Sequence, residues 1–265
     1  MSAANSDTVL ITGASSGIGL ELAKCFADDG CRLILVARNQ DALEKLAGDL
    51  RSKNQVETVV LPADLSKPET SSRIFHELSG RNISADVLVN NAGFGAIGPF
   101  DELPLERQLE MLQVNITALT ALTGLFLQGM IERRRGGILN VASVAGFVPG
   151  PGMAVYYATK AFVLSFTEAL AAELDGTGLK VSALCPGPTA TNFGNVAGSK
   201  SVKLVRVPRM TAEDAARAGH RAFRRGRVVA VPGFQNKLVV SLVRFMPRAF
   251  VRKMARKFNG FRTKT

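Results

Sequence analysis

Asp7-Thr8-Val9-Leu10-Ile11-Thr12-Gly13-Ala14-Ser15-Ser16-Gly17-Ile18-Gly19 is the stretch that decides the fold. Residues 7–12 read as a short buried strand. Residues 13–19 are a glycine-rich turn, and 18–29 a helix closed by Gly30. Glycine is needed where a backbone turns tightly and where a bulky anion must come close. The helix that opens here offers free N–H groups and the positive end of its dipole to a pyrophosphate. A glycine-rich turn on its own is a weak signal, since it also serves as a plain strand–helix connection. Its place after a strand, at the opening of a helix and near the N-terminus, makes it informative.

Outward from that turn, strand-like and helix-like segments alternate. Strands are expected at 31–37, 57–61, 85–90, 138–142, 180–185 and 228–231. Helices are expected at 40–52, 68–79, about 105–133, 153–175 and 212–225. The long helix ends in Arg133-Arg134-Arg135 and Gly136-Gly137, cations that suit a helix C-terminus followed by residues that stop it. Short, almost wholly apolar strands separated by helices indicate a parallel sheet covered on both faces. The expected architecture is a single doubly wound seven-stranded α/β sheet over residues 1–234, followed by a basic helical extension over 235–265. Residues 192–210 carry few periodic features and read as a mobile loop.

Composition excludes several classes. The chain has 265 residues, 46% hydrophobic and 21% charged, which is globular rather than disordered. No apolar run is expected to reach the roughly 18–20 residues that span a bilayer. Residues 1–6 carry no basic charge and a strand-like run follows at once, so no signal peptide is expected. Three cysteines, Cys25, Cys31 and Cys185, form no CxxC pair, so a reducing, cytoplasmic setting is expected. With only His76 and His220 available, no metal site is expected.

The net charge of +11 is unevenly placed: residues 199–265 hold 18 Lys/Arg against two acids, Glu213 and Asp214. Within the extension, Leu238, Val239, Val240, Leu242, Val243, Phe245 and Met246 precede Pro247. Phe250, Val251, Met254 and Phe258 then recur at helical spacing among Arg248, Arg252, Lys253, Arg256 and Lys257. Such a face either packs on the body or a second subunit, or lies peripherally on an anionic membrane surface. No nucleic-acid partner is expected, because only phosphate attraction would operate.

The second strand ends at Val36-Ala37-Arg38-Asn39. A dinucleotide fold that takes NAD(H) usually places an acid here to bond the ribose 2′-hydroxyl. Arg38 stands there instead, and a guanidinium suits a 2′-phosphate, so NADP(H) is favoured over NAD(H). Tyr156 and Lys160 lie four apart on one helix face. A neighbouring ammonium stabilises a phenolate, making a tyrosine usable as an acid or base near neutral pH. Tyr157 has Ala161 at the same spacing and no such partner. Ser143 ends the fifth strand, where it can bond a carbonyl, and Asn115 is a polar residue within the apolar stretch 111–127.

Together these residues resemble the short-chain dehydrogenase/reductase family, over about residues 7–233. The family's TGxxxGxG is similar to Thr12–Gly19, including Gly13, Ser15, Ser16, Gly17, Ile18 and Gly19. Its NNAG stands as Asn90-Asn91-Ala92-Gly93, its helix asparagine as Asn115, its serine as Ser143 and its YxxxK as Tyr156 and Lys160. Its adenine-contacting acid resembles Asp64, followed by Leu65; its PG turn is Pro186-Gly187, with Thr189 and Thr191 where the nicotinamide amide is met. The resemblance implies a Rossmann fold and hydride transfer between a nicotinamide and a carbonyl or secondary alcohol. It implies that Tyr156 moves the proton, Ser143 polarises the substrate oxygen, and Lys160 lowers the tyrosine pKa and bonds the ribose. It further implies that Asn115 holds a water linking Lys160 to solvent. A homodimer or homotetramer is implied as well. Phe94, Val144, Met153 and Phe193 are expected to line an apolar substrate pocket. A 3-ketoacyl-carrier-protein reductase and a non-enzymatic NADP-binding regulator are the alternatives. The first is weakened by the roughly 30 residues that follow Val231-Pro232-Gly233, the second by the presence of both Tyr156 and Lys160.

Overall fold

The computed structural model describes residues 7–190 and 210–259. Its strands and helices alternate as the apolar pattern predicts. They are β1 (Thr8–Thr12), α1 (Gly17–Asp28), β2 (Arg32–Ala37), α2 (Gln40–Asn54), β3 (Thr58–Pro62), α3 (Thr70–Gly80) and β4 (Val87–Asn90). There follow α4 (Leu105–Leu112), α5 (Ala118–Arg133), β5 (Gly137–Val141), α6 (Ala154–Glu173), β6 (Lys180–Leu184), β7 (Thr189–Ala190) and β8 (Met210–Thr211). The chain closes with α7 (Ala212–Arg224), β9 (Val229–Ala230), α8 (Phe234–Val243) and α9 (Arg248–Phe258).

The main sheet has seven strands in the order β3-β2-β1-β4-β5-β6-β9. Its strand pairs are parallel, for example Leu10 beside Ile34 and Leu88. Strand alternation sorts the core. Val9, Ile11, Leu33 and Leu35 pack with Leu22 and Phe26 of α1, Leu43 and Leu46 of α2, and Phe223 of α7. Leu10, Ile34, Val36 and Leu88 face the other way, onto Ile74 of α3, Leu122 and Phe126 of α5, and Leu170 of α6. Helices thus cover both faces. The strand order reverses between β1 and β4, which opens a crevice at their carboxyl ends.

Four features differ from the sequence expectation. The long helix is interrupted by a π-helical turn at Gln113–Thr117, where the Ala118 N–H reaches back to the Gln113 carbonyl. Such a turn inserts one residue and re-aims its neighbours. By length and composition, the stretch Leu105–Arg133 is apolar enough to cross a membrane, which corrects the expectation that no such stretch exists. Here its Ala118, Leu122, Phe126 and Met130 are buried on the sheet. The seventh sheet strand spans only Val229–Ala230, because Pro232 has no N–H to continue the ladder with β6. The pair β7–β8 was not foreseen: two-residue strands have no period to read.

Candidate active site

The phosphate-type turn is built by close approach. Gly13 has φ +66°, and a Cβ there would meet Asn91 Nδ2 at 2.8 Å. At Gly19, a Cβ would collide with the Gly13 carbonyl. Thr12 ties this turn to the end of β4. Its hydroxyl donates to the Val89 carbonyl at 3.2 Å and accepts from the N–H groups of Asn91 and Ala92, both at 3.0 Å. Asn91 Nδ2 returns bonds to the carbonyls of Thr12 (2.9 Å) and Gly13 (3.1 Å). Ser16 stands at the N-cap of α1 in extended conformation and its side chain makes no capping bond. The first-turn amides of α1 are left to an external anion.

Arg38 is exposed just beyond β2. Beside it, Asn39 caps α2 by accepting from the Ala42 N–H at 3.0 Å. Burial pushes the Asp64 carboxyl up, but the N–H and hydroxyl of Ser66, with the Arg38 guanidinium, outweigh it and hold the group below its usual value. Leu65 is buried beside it.

Ser143, Tyr156 and Lys160 gather near the ends of β5 and β6. Ser143 heads the 3-10 turn Val144–Phe147, its oxygen accepting from the Ala145 N–H at 3.1 Å. Its hydroxyl lies 3.4 Å from the Pro186 carbonyl and bonds the Tyr156 side chain. Lys160 is buried and donates to the Val141 carbonyl at 2.7 Å, with its Nζ 5.9 Å from the centre of the Tyr156 ring. Burial pulls Lys160 down to about 8, opposed by Cys185. Burial also pushes Tyr156 up to about 12, opposed by the Ser143 bond.

Asn115 sits on the π-helical turn, 2% exposed. Its Oδ1 accepts from the Phe94 N–H at 3.1 Å, and its Nδ2 donates to the Phe94 carbonyl and to Thr159 Oγ1, each at 3.0 Å. Both amide hydrogens are therefore spent on protein, so the side chain positions the Gly93–Phe94 turn rather than offering a donor to water. Next to it, Arg107 stacks over the Phe94 ring at 3.8 Å.

A single cleft of about 990 Å³ joins these parts. Its lining includes Gly13, Ser15, Ser16, Gly17, Ile18, Arg38, Asp64, Leu65, Asn91, Ala92 and Gly93. Ser143, Tyr156, Lys160, Pro186, Gly187 and Thr189 line it as well, as do Phe94, Val144 and Met153. Gly19 is buried behind the turn, and Asn115 stands behind Phe94. Thr191 and Phe193, with the loop expected at 192–210 up to residue 209, lie outside the described residues.

The far wall was missed from sequence. Helices α8 and α9, with the turn between them, bring Asn236, Val240, Val243, Met246, Val251 and Met254 to the cleft. Asn259 fastens α9: its Nδ2 donates to the Pro151 carbonyl at 2.9 Å, and its Oδ1 accepts from the Tyr157 hydroxyl at 3.1 Å. The signal was Tyr157 itself, a second, half-buried hydroxyl with no lysine partner and hence in need of another one.

Residues 7–201 match the short chain dehydrogenase family, and the chain belongs to it. It is an oxidoreductase acting between CH–OH and C=O groups. It is 40% identical over 190 residues to sulfoacetaldehyde reductase 2 of Chromohalobacter salexigens, covering 71% of this chain and 75% of that one. It is 35% identical over 191 residues to the very-long-chain 3-oxoacyl-CoA reductase of Rattus norvegicus, and there the match covers 71% of this chain but only 61% of the relative. A solved short-chain dehydrogenase from Sphingobium yanoikuyae in complex with NADPH is 34% identical, with a TM-score of 0.79 over 92% of this chain and 97% of that one.

Proposed function

We propose that this protein is an NADP(H)-dependent carbonyl reductase or alcohol dehydrogenase with a bulky apolar substrate. The observation that carries it is the cleft itself. It joins an anion-binding helix start and the Arg38 guanidinium at one end to the Ser143–Tyr156–Lys160 cluster under an apolar wall at the other. The NADPH complex of the Sphingobium yanoikuyae neighbour supports the cofactor reading.

The residues fit a dinucleotide. The α1 amides and the space kept by Gly13 and Gly19 would hold the pyrophosphate. Arg38 would bond a 2′-phosphate, Asp64 and Leu65 would border the adenine, and Lys160 would bond the nicotinamide ribose. When bound, the nicotinamide supplies or accepts the hydride. The protein's share is proton and charge. Ser143 donates to the substrate oxygen, and the Tyr156 hydroxyl gives its proton to that oxygen as it becomes an alcohol, or takes it back in oxidation. Lys160, which donates to the Val141 carbonyl, offsets the phenolate left behind when it is protonated. Phe94, Met153 and the α8–α9 wall keep water away and select apolar groups.

A second reading, reduction of a 3-oxoacyl thioester, is favoured by the similarity to the rat reductase. Exposed Leu105 and Leu109 on α4 and Phe162 on α6 support pairing of subunits through these helices. The test is Arg38→Asp, comparing kcat/KM for NADPH and NADH with a panel of ketones. The carboxylate repels a 2′-phosphate and accepts from a 2′-hydroxyl, so the preference should move towards NADH. An unchanged NADPH preference would show that Arg38 does not read the phosphate.

A further inference from the structure

Helix α8 carries two distinct stripes. Asn236, Val240 and Val243 face the cleft. Phe234, Leu238, Leu242 and Phe245, at spacings of four, four and three, form another stripe and are 79%, 49%, 47% and 87% exposed. Lys237 and Arg244 flank that stripe by the same helical geometry. On α9, Val251 is buried, while Arg248, Arg252, Lys253, Arg256 and Lys257 are all exposed. Residues 235–259 therefore hold seven Lys/Arg and no acid. The pair does not hang loose, since Asn259 fixes its end to Pro151 and Tyr157.

We infer that the outer face of α8 and α9 docks on an anionic lipid bilayer surface. Exposed phenylalanine and leucine side chains enter the acyl boundary, and the surrounding cations meet the headgroups. Charge decides against a second copy of the chain. A two-fold contact would bring one acid-free cationic face against its own duplicate. The inference stands apart from the assignment of cofactor or substrate, because binding is measured without either.

The experiment is co-sedimentation of the full chain with phosphatidylglycerol–phosphatidylcholine vesicles and with phosphatidylcholine vesicles alone, at low and high salt. Two variants accompany it: Leu238→Ser/Phe245→Ser and Arg252→Gln/Lys253→Gln. None of these side chains lines the cleft, so cofactor binding and turnover of a water-soluble ketone serve as the folding control. The expected result is binding to anionic vesicles only, weakened about tenfold or more at high salt, and lost in both variants while turnover is kept. No pelleting with anionic vesicles at low salt would overturn the inference. So would equal pelleting with both vesicle types, or a wild-type dimer in solution that both variants dissociate.

Discussion

Replacing Asn115 by leucine tests whether this residue acts through the Phe94 turn. Leucine fills nearly the same space but can neither accept from the Phe94 N–H nor donate to the Phe94 carbonyl and Thr159 Oγ1. The Thr159 hydroxyl keeps its own bond to the Tyr156 carbonyl at 2.7 Å, so the loss falls on Phe94. Two buried main-chain groups left without partners cost about 1–3 kcal/mol each, and with partial relaxation the sum is about 2–5 kcal/mol. For a chain of this size that lowers the thermal midpoint by about 2–4 °C per kcal/mol, hence about 5–15 °C in all. Phe94 also forms the wall beside Tyr156, so kcat/KM for ketone reduction should fall together with stability. The assay is thermal unfolding beside steady-state kinetics at a temperature where the variant is folded. A midpoint within about 1 °C of wild type, with turnover lost, would refute the positioning role and place Asn115 in the chemistry itself.

Tyr156→Phe should keep NADPH binding, read by fluorescence titration, and lose about 10²–10⁴-fold in turnover, since the ring stays and the transferable proton goes. Reduction should slow as pH rises through about 8, where Lys160 loses its proton; a flat kcat/KM profile up to about pH 9.5 would show that the charge is not required. Burial pulls His220 below its usual 6.5, against the pull of Asp29 2.9 Å away, so the unfolded chain binds the proton first. Stability is then full above pH 6.5 and falls as pH drops below it, and His220→Gln should show a shallower loss of thermal midpoint between about pH 7 and 5.5.

What could be read without coordinates is what short-range chemistry imposes. The Thr12–Gly19 turn, the β4 exit at Asn90–Gly93 and the Tyr156–Lys160 spacing each need particular residues at fixed offsets, and the cleft brings them together. The parallel sheet was legible because strands buried on both faces leave a nearly continuous apolar run. The π-helical turn was not, because one inserted residue in an apolar helix barely disturbs its period. Nor was the acidity of Tyr156. Spacing predicts that Lys160 is near, but only the fold shows how burial pushes Tyr156 up and that the ammonium donates to Val141. The extension read as amphipathic, yet amphipathicity does not say which stripe turns inward. That depends on Pro247 breaking α8 from α9 and on Asn259 finding Pro151, contacts more than a hundred residues apart.

The division between floor and wall also bears on how the enzyme matures and ages. Every group proposed to move a proton lies before residue 187, while the far wall of the cleft is made by the helices beginning at Phe234. A growing chain thus owns its chemistry well before it owns its selectivity. A protease that nicks the exposed Gly233–Phe234 junction would leave the proton-transfer groups in place and remove the enclosure. Trimmed molecules would then appear in an extract as a less discriminating form of the enzyme, not as an inactive one.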